Sequence, residues 1–248
     1  MANLLRTSNP ALNDKAFSGE QAAFGEAMTL NGTVNKTGIL LLCSVATAAW
    51  TWNQFEHSTI AVMQLVLPSA IGGFIFALVT IFKKTWAPIT APIYALLEGV
   101  VLGSVSALLE MRYHGIAIQA VSLTFGTLVV LLLAYRSGLI PVTEKFKLGV
   151  VAATGAIALL YFIEIILGFF GVHFTTINGA GPIGIGFSVV VVVIAALNLV
   201  LDFDFIENGV KTGAPKYMEW YAAFGLMITL IWLYFEILRL LSKVRSRR

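Results

Sequence analysis

Between Ile183 and Leu201 the chain offers water only two polar side chains, Ser188 and Asn198, and the run closes on VLDFDFIENG with Asp202, Asp204 and Glu207. Crossing about 30 Å of hydrocarbon takes roughly 20 such residues in a helix. Six further apolar stretches lie at 38–54, 60–82, 88–109, 116–135, 148–170 and 218–241, the first the shortest and the last the most polar. With 58% hydrophobic and 12% charged residues, the chain has about half the charge of a water-soluble domain. Backbone in lipid must satisfy its own hydrogen bonds, so these spans are expected to be helices. A membrane barrel would alternate apolar and polar in segments of about ten residues, and SVVVVVIAALNLVL does not. The fold class is therefore all-α: a polytopic membrane protein of seven transmembrane helices, with the lipid bilayer as its first partner.

Punctuation agrees with this division. Lys83-Lys84, MRYHG at 111–115, RSG at 136–138, NGAGP at 178–182 and GVKTGAP at 209–215 separate the spans. Residues 1–36 are polar and mixed in charge and are expected to form a cytoplasmic tail, not a signal peptide. The seven-helix domain then covers 37–242, and 243–248 form a basic tail. Lysines and arginines favour cytoplasmic loops. Arg6, Lys15, Lys36, Lys83, Lys84, Arg136, Lys145, Lys147, Lys211 and Lys216 fall on one face and only Arg112 on the other. This puts the amino terminus in the cytoplasm, although seven crossings then leave the basic carboxyl end outside. Cys43 is alone, so no intramolecular disulfide forms.

Acids within apolar spans are costly and mark ion or proton paths. Glu98 lies near the middle of the third span, beside Gly99-x-x-x-Gly103, a small-residue face on which another helix can pack. Glu164 and Glu236 lie deep in the fifth and seventh spans; Arg239, three residues beyond Glu236, offers an ordinary helical ion pair. Asp202 and Asp204 point about 200° apart on a helix, and Asn198, four residues before Asp202, nominates Asp202 as the inward one and Asp204 as the more solvated. Glu207 and Lys211 make a surface pair. The set has no embedded lysine or arginine to neutralise it and suits a cation or proton, with Asp202 and Glu98 as transient Ca²⁺ contacts. His57, His114 and His173 fall in loops on the opposite face.

Other chemistries are disfavoured. GAGPIG at 179–184 matches a dinucleotide pattern but opens a membrane span instead of following a strand. No phosphate-binding loop, catalytic triad motif or Cys/His cluster occurs, so no cofactor, no enzymatic activity and no nucleic-acid partner are expected.

The stretches APIYALLEG, LDFDFIENG and LIWLYFEILRLL resemble the Bax inhibitor-1, or transmembrane BAX inhibitor motif, family, and RTSNPALNDKAF at the start is similar to a bacterial branch of it. The resemblance implies six helices around a central seventh, a bacterial inner-membrane location, and a pH-sensitive calcium leak. It also implies a sensor that pairs an acid late in helix six with one in helix seven. Asp202 or Asp204 matches the first acid. For the second, a comparison beginning at EWYAAFGL selects Thr229, whereas LY-x-acid selects Glu236; the two are seven residues apart and share a face. With Thr229 as the counterpart a two-carboxylate latch is absent, and Glu98 could contribute instead. Three functions follow: a cation leak, a proton- or sodium-coupled transporter, and a non-conducting regulator of a protease or another membrane complex.

Overall fold

A computed structural model of the chain describes residues 26–171 and 174–247. Eight α-helices follow one another: α1 Leu30–His57, α2 Thr59–Phe82, α3 Ala87–Arg112, α4 Ile116–Arg136, α5 Glu144–Phe169, α6 Thr175–Asn178, α7 Pro182–Lys211 and α8 Met218–Ser246. No strand occurs among the described residues, apart from a single bridge between Ala27 and Pro215. Each expected span coincides with a helix. The helices containing 60–82, 88–109, 116–135, 148–170, 183–204 and 218–241 are long and apolar enough to cross a membrane. The segment 38–54 lies inside α1, which at 28 residues is long enough but is interrupted by Lys36, Thr47, Thr51 and Asn53.

Several boundaries move outward from the apolar runs, for local reasons. α1 begins at Leu30, inside the expected tail, because the Thr29 side chain accepts the N–H of Gly32 and caps it. α5 begins at Glu144, four residues before its apolar run, because Thr143 caps the N–H of Phe146 at 3.2 Å. α7 continues through VLDFDFIENG to Lys211, so its carboxylates sit within the helix and not at its end. α8 continues to Ser246, through most of the expected basic tail. Pro68 and Pro92 are carried inside α2 and α3 without ending either.

The chain divides into two compact units, each described by itself. One holds α1, α2, α3, the end of α7 from Phe205 and the start of α8 to Ile228. There α1 lies along α3. A Cβ placed on Gly99 would meet Ser44 Cα at 2.9 Å, and one on Gly103 would meet Ala48 Cα at 2.8 Å, so only glycine admits this approach. Phe224 of α8 packs edge-on to Tyr94 of α3, ring centroids 5.0 Å apart, among the buried Ala87, Ala91 and Ala95. Hydroxyls in this unit bond back to their own helix, as Thr51 does to the Thr47 carbonyl (2.7 Å) and Ser104 to that of Val100 (2.7 Å). They thus need no water.

The other unit holds α4, α5, α6, α7 up to Asp204 and α8 from Thr229. α7 presents it a buried stripe of Ser188, Val191, Ala195, Asn198, Leu199 and Asp202 at three- and four-residue spacing. Within their most apolar windows α8 is the most enclosed helix, 61% buried, against 11% for α5 and 17% for α2 and α4. Outward faces are apolar: Phe74, Phe162 and Phe169 are 64%, 60% and 86% exposed, a surface for lipid.

Candidate functional site

Polar groups interrupt the apolar interior of α5, α7 and α8 in a definite order. Lys147, Thr154 and Tyr161 are spaced seven residues apart on α5 and therefore share one face. Each meets α7. The Lys147 ammonium stands 2.7 Å from Asp204 Oδ2, and Thr154 Oγ1 accepts the Asn198 amide at 2.8 Å. The Tyr161 ring packs edge-on to Phe187 at 6.4 Å. Asn198 also donates to the Ile194 carbonyl.

Asp202 and Asp204 differ sharply. Asp202 has no exposed surface, on the same face as Asn198, itself 2% exposed. The Asp204 side chain keeps 21% of its surface open but is ion-paired, not simply solvated. The expectation of carboxylates without embedded cations is thus corrected: Lys147 is 8% exposed and neutralises Asp204. The sequence signal was available in the Thr143 cap, which places Lys147 inside a helix and not in a loop.

Glu236 and Glu164 belong to a second cluster. Glu236 accepts from the Tyr161 hydroxyl at 3.1 and 3.2 Å, from Trp232 Nε1 at 3.3 Å and from Arg239 at 3.2 Å, the i,i+3 pair expected of it. Arg239 also donates to the Tyr161 hydroxyl and lies over its ring. Glu164, one turn beyond Tyr161, accepts from Asn178. Lys243, assigned by sequence to the tail, is 6% exposed and donates to the carbonyls of Ile177 (2.7 Å) and Gly184 (3.2 Å) and to Ser188 Oγ (2.9 Å). These contacts consume two of the basic residues whose position disagreed with the loop charges.

Lys243 also fixes the register of α8 against α7. Fourteen residues on from Ser188 is Asp202, and fourteen back from Lys243 is Thr229. Both steps are about 21 Å of helix, so Asp202 and Thr229 each lie about four turns from the Lys243 contact. Glu236 is bonded to Tyr161, whose ring packs on Phe187, one residue before Ser188. Both counterparts left open by sequence are buried, Thr229 at 3% and Glu236 at 2% exposed.

Glu98 is half-buried in the other unit, close to Gly73, where a Cβ would meet its Oε1 at 3.1 Å. The fully enclosed carboxylate of that unit is one the sequence reading passed over. Glu219, in the first turn of α8, accepts the Thr29 N–H (2.8 Å), the Thr29 hydroxyl (2.9 Å) and the Lys36 ammonium. Lys216 adds an ion pair at 3.5 Å. A hydrogen bond to Glu26, with Glu219 close by, holds the Lys216 ammonium above the usual lysine range. Glu207 and Lys211 form the expected surface pair at 2.6 Å. His57 and His114 are exposed, at the end of α1 and in the α3–α4 turn; His173 lies outside the described residues, as do residues 1–25. Among the described residues no three of His, Cys, Asp and Glu converge as a metal set.

Neither a curated protein nor a solved structure matches the chain. A family model described as Bax inhibitor 1 like matches residues 9–246, nearly its whole length. This polytopic membrane protein belongs to the Bax inhibitor 1 like family.

Proposed function

We propose that the chain is a pH-sensitive cation leak of a bacterial inner membrane, its amino terminus cytoplasmic, and that the described arrangement is the closed form. The observation that carries this reading is Asp202, a membrane-helix carboxylate with no exposed surface, on one face of α7 with the buried Asn198. An enclosed carboxylate ionises only with water or a counter-charge, so proton, cation and opening are linked there. Lys147, Asp204 and Glu144 are charged groups close by along α5 and α7. Calcium is the cargo best matched to carboxylate and hydroxyl oxygens. Thr229 supplies a hydroxyl in place of a second carboxylate, so a single acid carries the response, with Glu98 a further cation contact in the other unit.

The rival reading, a non-conducting regulator of a protease or another membrane complex, would have to dock through a face other than Gly99-x-x-x-Gly103, since α1 covers both glycines. A proton- or sodium-coupled transporter has no observation of its own. The test is Ca²⁺ flux into liposomes at mildly acidic, neutral and mildly alkaline pH. Flux should vary with pH, collapse in Asp202→Asn, and depend on pH more steeply in Thr229→Asp. Folded wild-type protein that passes no calcium at any pH would remove the leak reading.

A further inference from the structure

Lys147 projects from the first turn of α5 into the space between α5 and α7, its side chain 10% exposed. Its ammonium is 2.7 Å from Asp204 Oδ2 and 3.8 Å from Glu144 Oε1, whose side chain is 71% exposed. Burying an ammonium in a membrane helix is costly unless it is paired, and a structural contact here could have been made by an apolar side chain. What the lysine adds is a positive charge held on a carboxylate two residues from the enclosed Asp202.

We infer that Lys147 is a tethered counter-ion: its ammonium occupies, on Asp204, the place a conducted cation would take, and keeps that end of α7 closed. The inference deepens the leak reading and rests on it. Of the two aspartates of α7, Asp204 is the partly open one. A group on a short flexible stem has an effective concentration of about millimolar or more at its partner. Micromolar calcium therefore does not displace Lys147, and only a shift of α5 against α7, or a much higher cation concentration, lets a mobile ion in. The lysine thus sets both the resting leak and the concentration at which a cation competes. Asn198–Thr154, two turns along α5, holds the same two helices and keeps the ammonium aligned.

The test compares wild type, Lys147→Arg, Lys147→Met, Asp204→Asn and the Lys147→Met/Asp204→Asn double variant in two measurements. In proteoliposomes, Lys147→Met should raise resting Ca²⁺ flux by about three- to tenfold, the range a membrane-embedded polar contact is worth. Lys147→Arg should stay at the wild-type rate and the double variant should return toward it. In detergent, added Ca²⁺ should raise the unfolding temperature of Lys147→Met, which exposes Asp204 as a ligand, and leave wild type and the double variant unmoved. A purely structural lysine would give neither the calcium-dependent shift nor its loss with Asp204→Asn. Equal flux and equal calcium response in wild type and Lys147→Met would overturn the inference. Flux absent throughout, with the calcium-dependent shift present in Lys147→Met alone, would sink the leak reading while leaving the tethered charge standing. Should Lys147→Met fail to fold, Lys147→Gln, which keeps a donor for Asp204 and lacks the charge, takes its place with the same expected outcomes.

Discussion

α1 meets α3 through glycine, serine, threonine and alanine, backbone nearly on backbone, whereas α5 meets α7 through an ammonium, a hydroxyl and a phenol. In lipid both solutions hold helices together, because no hydrophobic force favours one apolar side chain over a lipid tail. They differ in what they permit. A small-residue seam has many short van der Waals contacts and one good arrangement. Long polar side chains can follow a partner, exchange it for water or an ion, and return. The molecule uses the first where helices only need to be joined, and the second beside Asp202.

The contrast can be broken from either side. The largest effect is expected at the tight seam. Gly103→Leu must push α1 from α3, since even a Cβ would lie 2.8 Å from Ala48 Cα. A loss of about 3 kcal/mol, the upper end for overpacking, should appear in reversible unfolding in mixed micelles. Unchanged stability there would mean that the seam gives way readily, and the contrast would fail. Next is the polar clamp that joins the start of α1 to the start of α8. Glu219→Ala strips Lys36 and Thr29 of their acceptor, and with the Lys36 side chain 17% exposed the cost should be about 2–3 kcal/mol. Glu219→Gln should recover part of it, and no difference between Ala and Gln would show that the hydrogen bonds to Thr29 are worth nothing. The smallest effect is expected in the polar seam. A double-mutant cycle of Asn198→Ala and Thr154→Ala should give a coupling of about 0.6 kcal/mol, the usual size for such pairs in membranes. A coupling as large as the Gly103→Leu effect would make the α5–α7 seam as fixed as the other and deprive it of any switching role.

Sequence made the helices legible because lipid demands long apolar runs, and it made Gly99-x-x-x-Gly103 legible because small residues four apart have one use in a membrane helix. One kind of error recurred: ionisable residues at the ends of apolar runs were taken as loop or tail charges. Lys147, Lys243 and Lys36 were counted there, yet each lies inside a helix and bonds a distant element. Their partners are far along the chain, Glu219 being 183 residues from Lys36, and no local pattern announces such a pair. The choice between Thr229 and Glu236 was undecidable for a related reason. Residues two turns apart share a face, so facing direction cannot separate them.

The seven-residue spacing of Lys147, Thr154 and Tyr161 has a mechanical consequence. An α-helix is stiff in torsion compared with the side chains it carries, so it turns as a rod. A rotation of α5 by a fraction of a turn would swing all three away from α7 together, whereas bending at one end would spare the other two. Contacts placed on one line would therefore let go together under such a rotation.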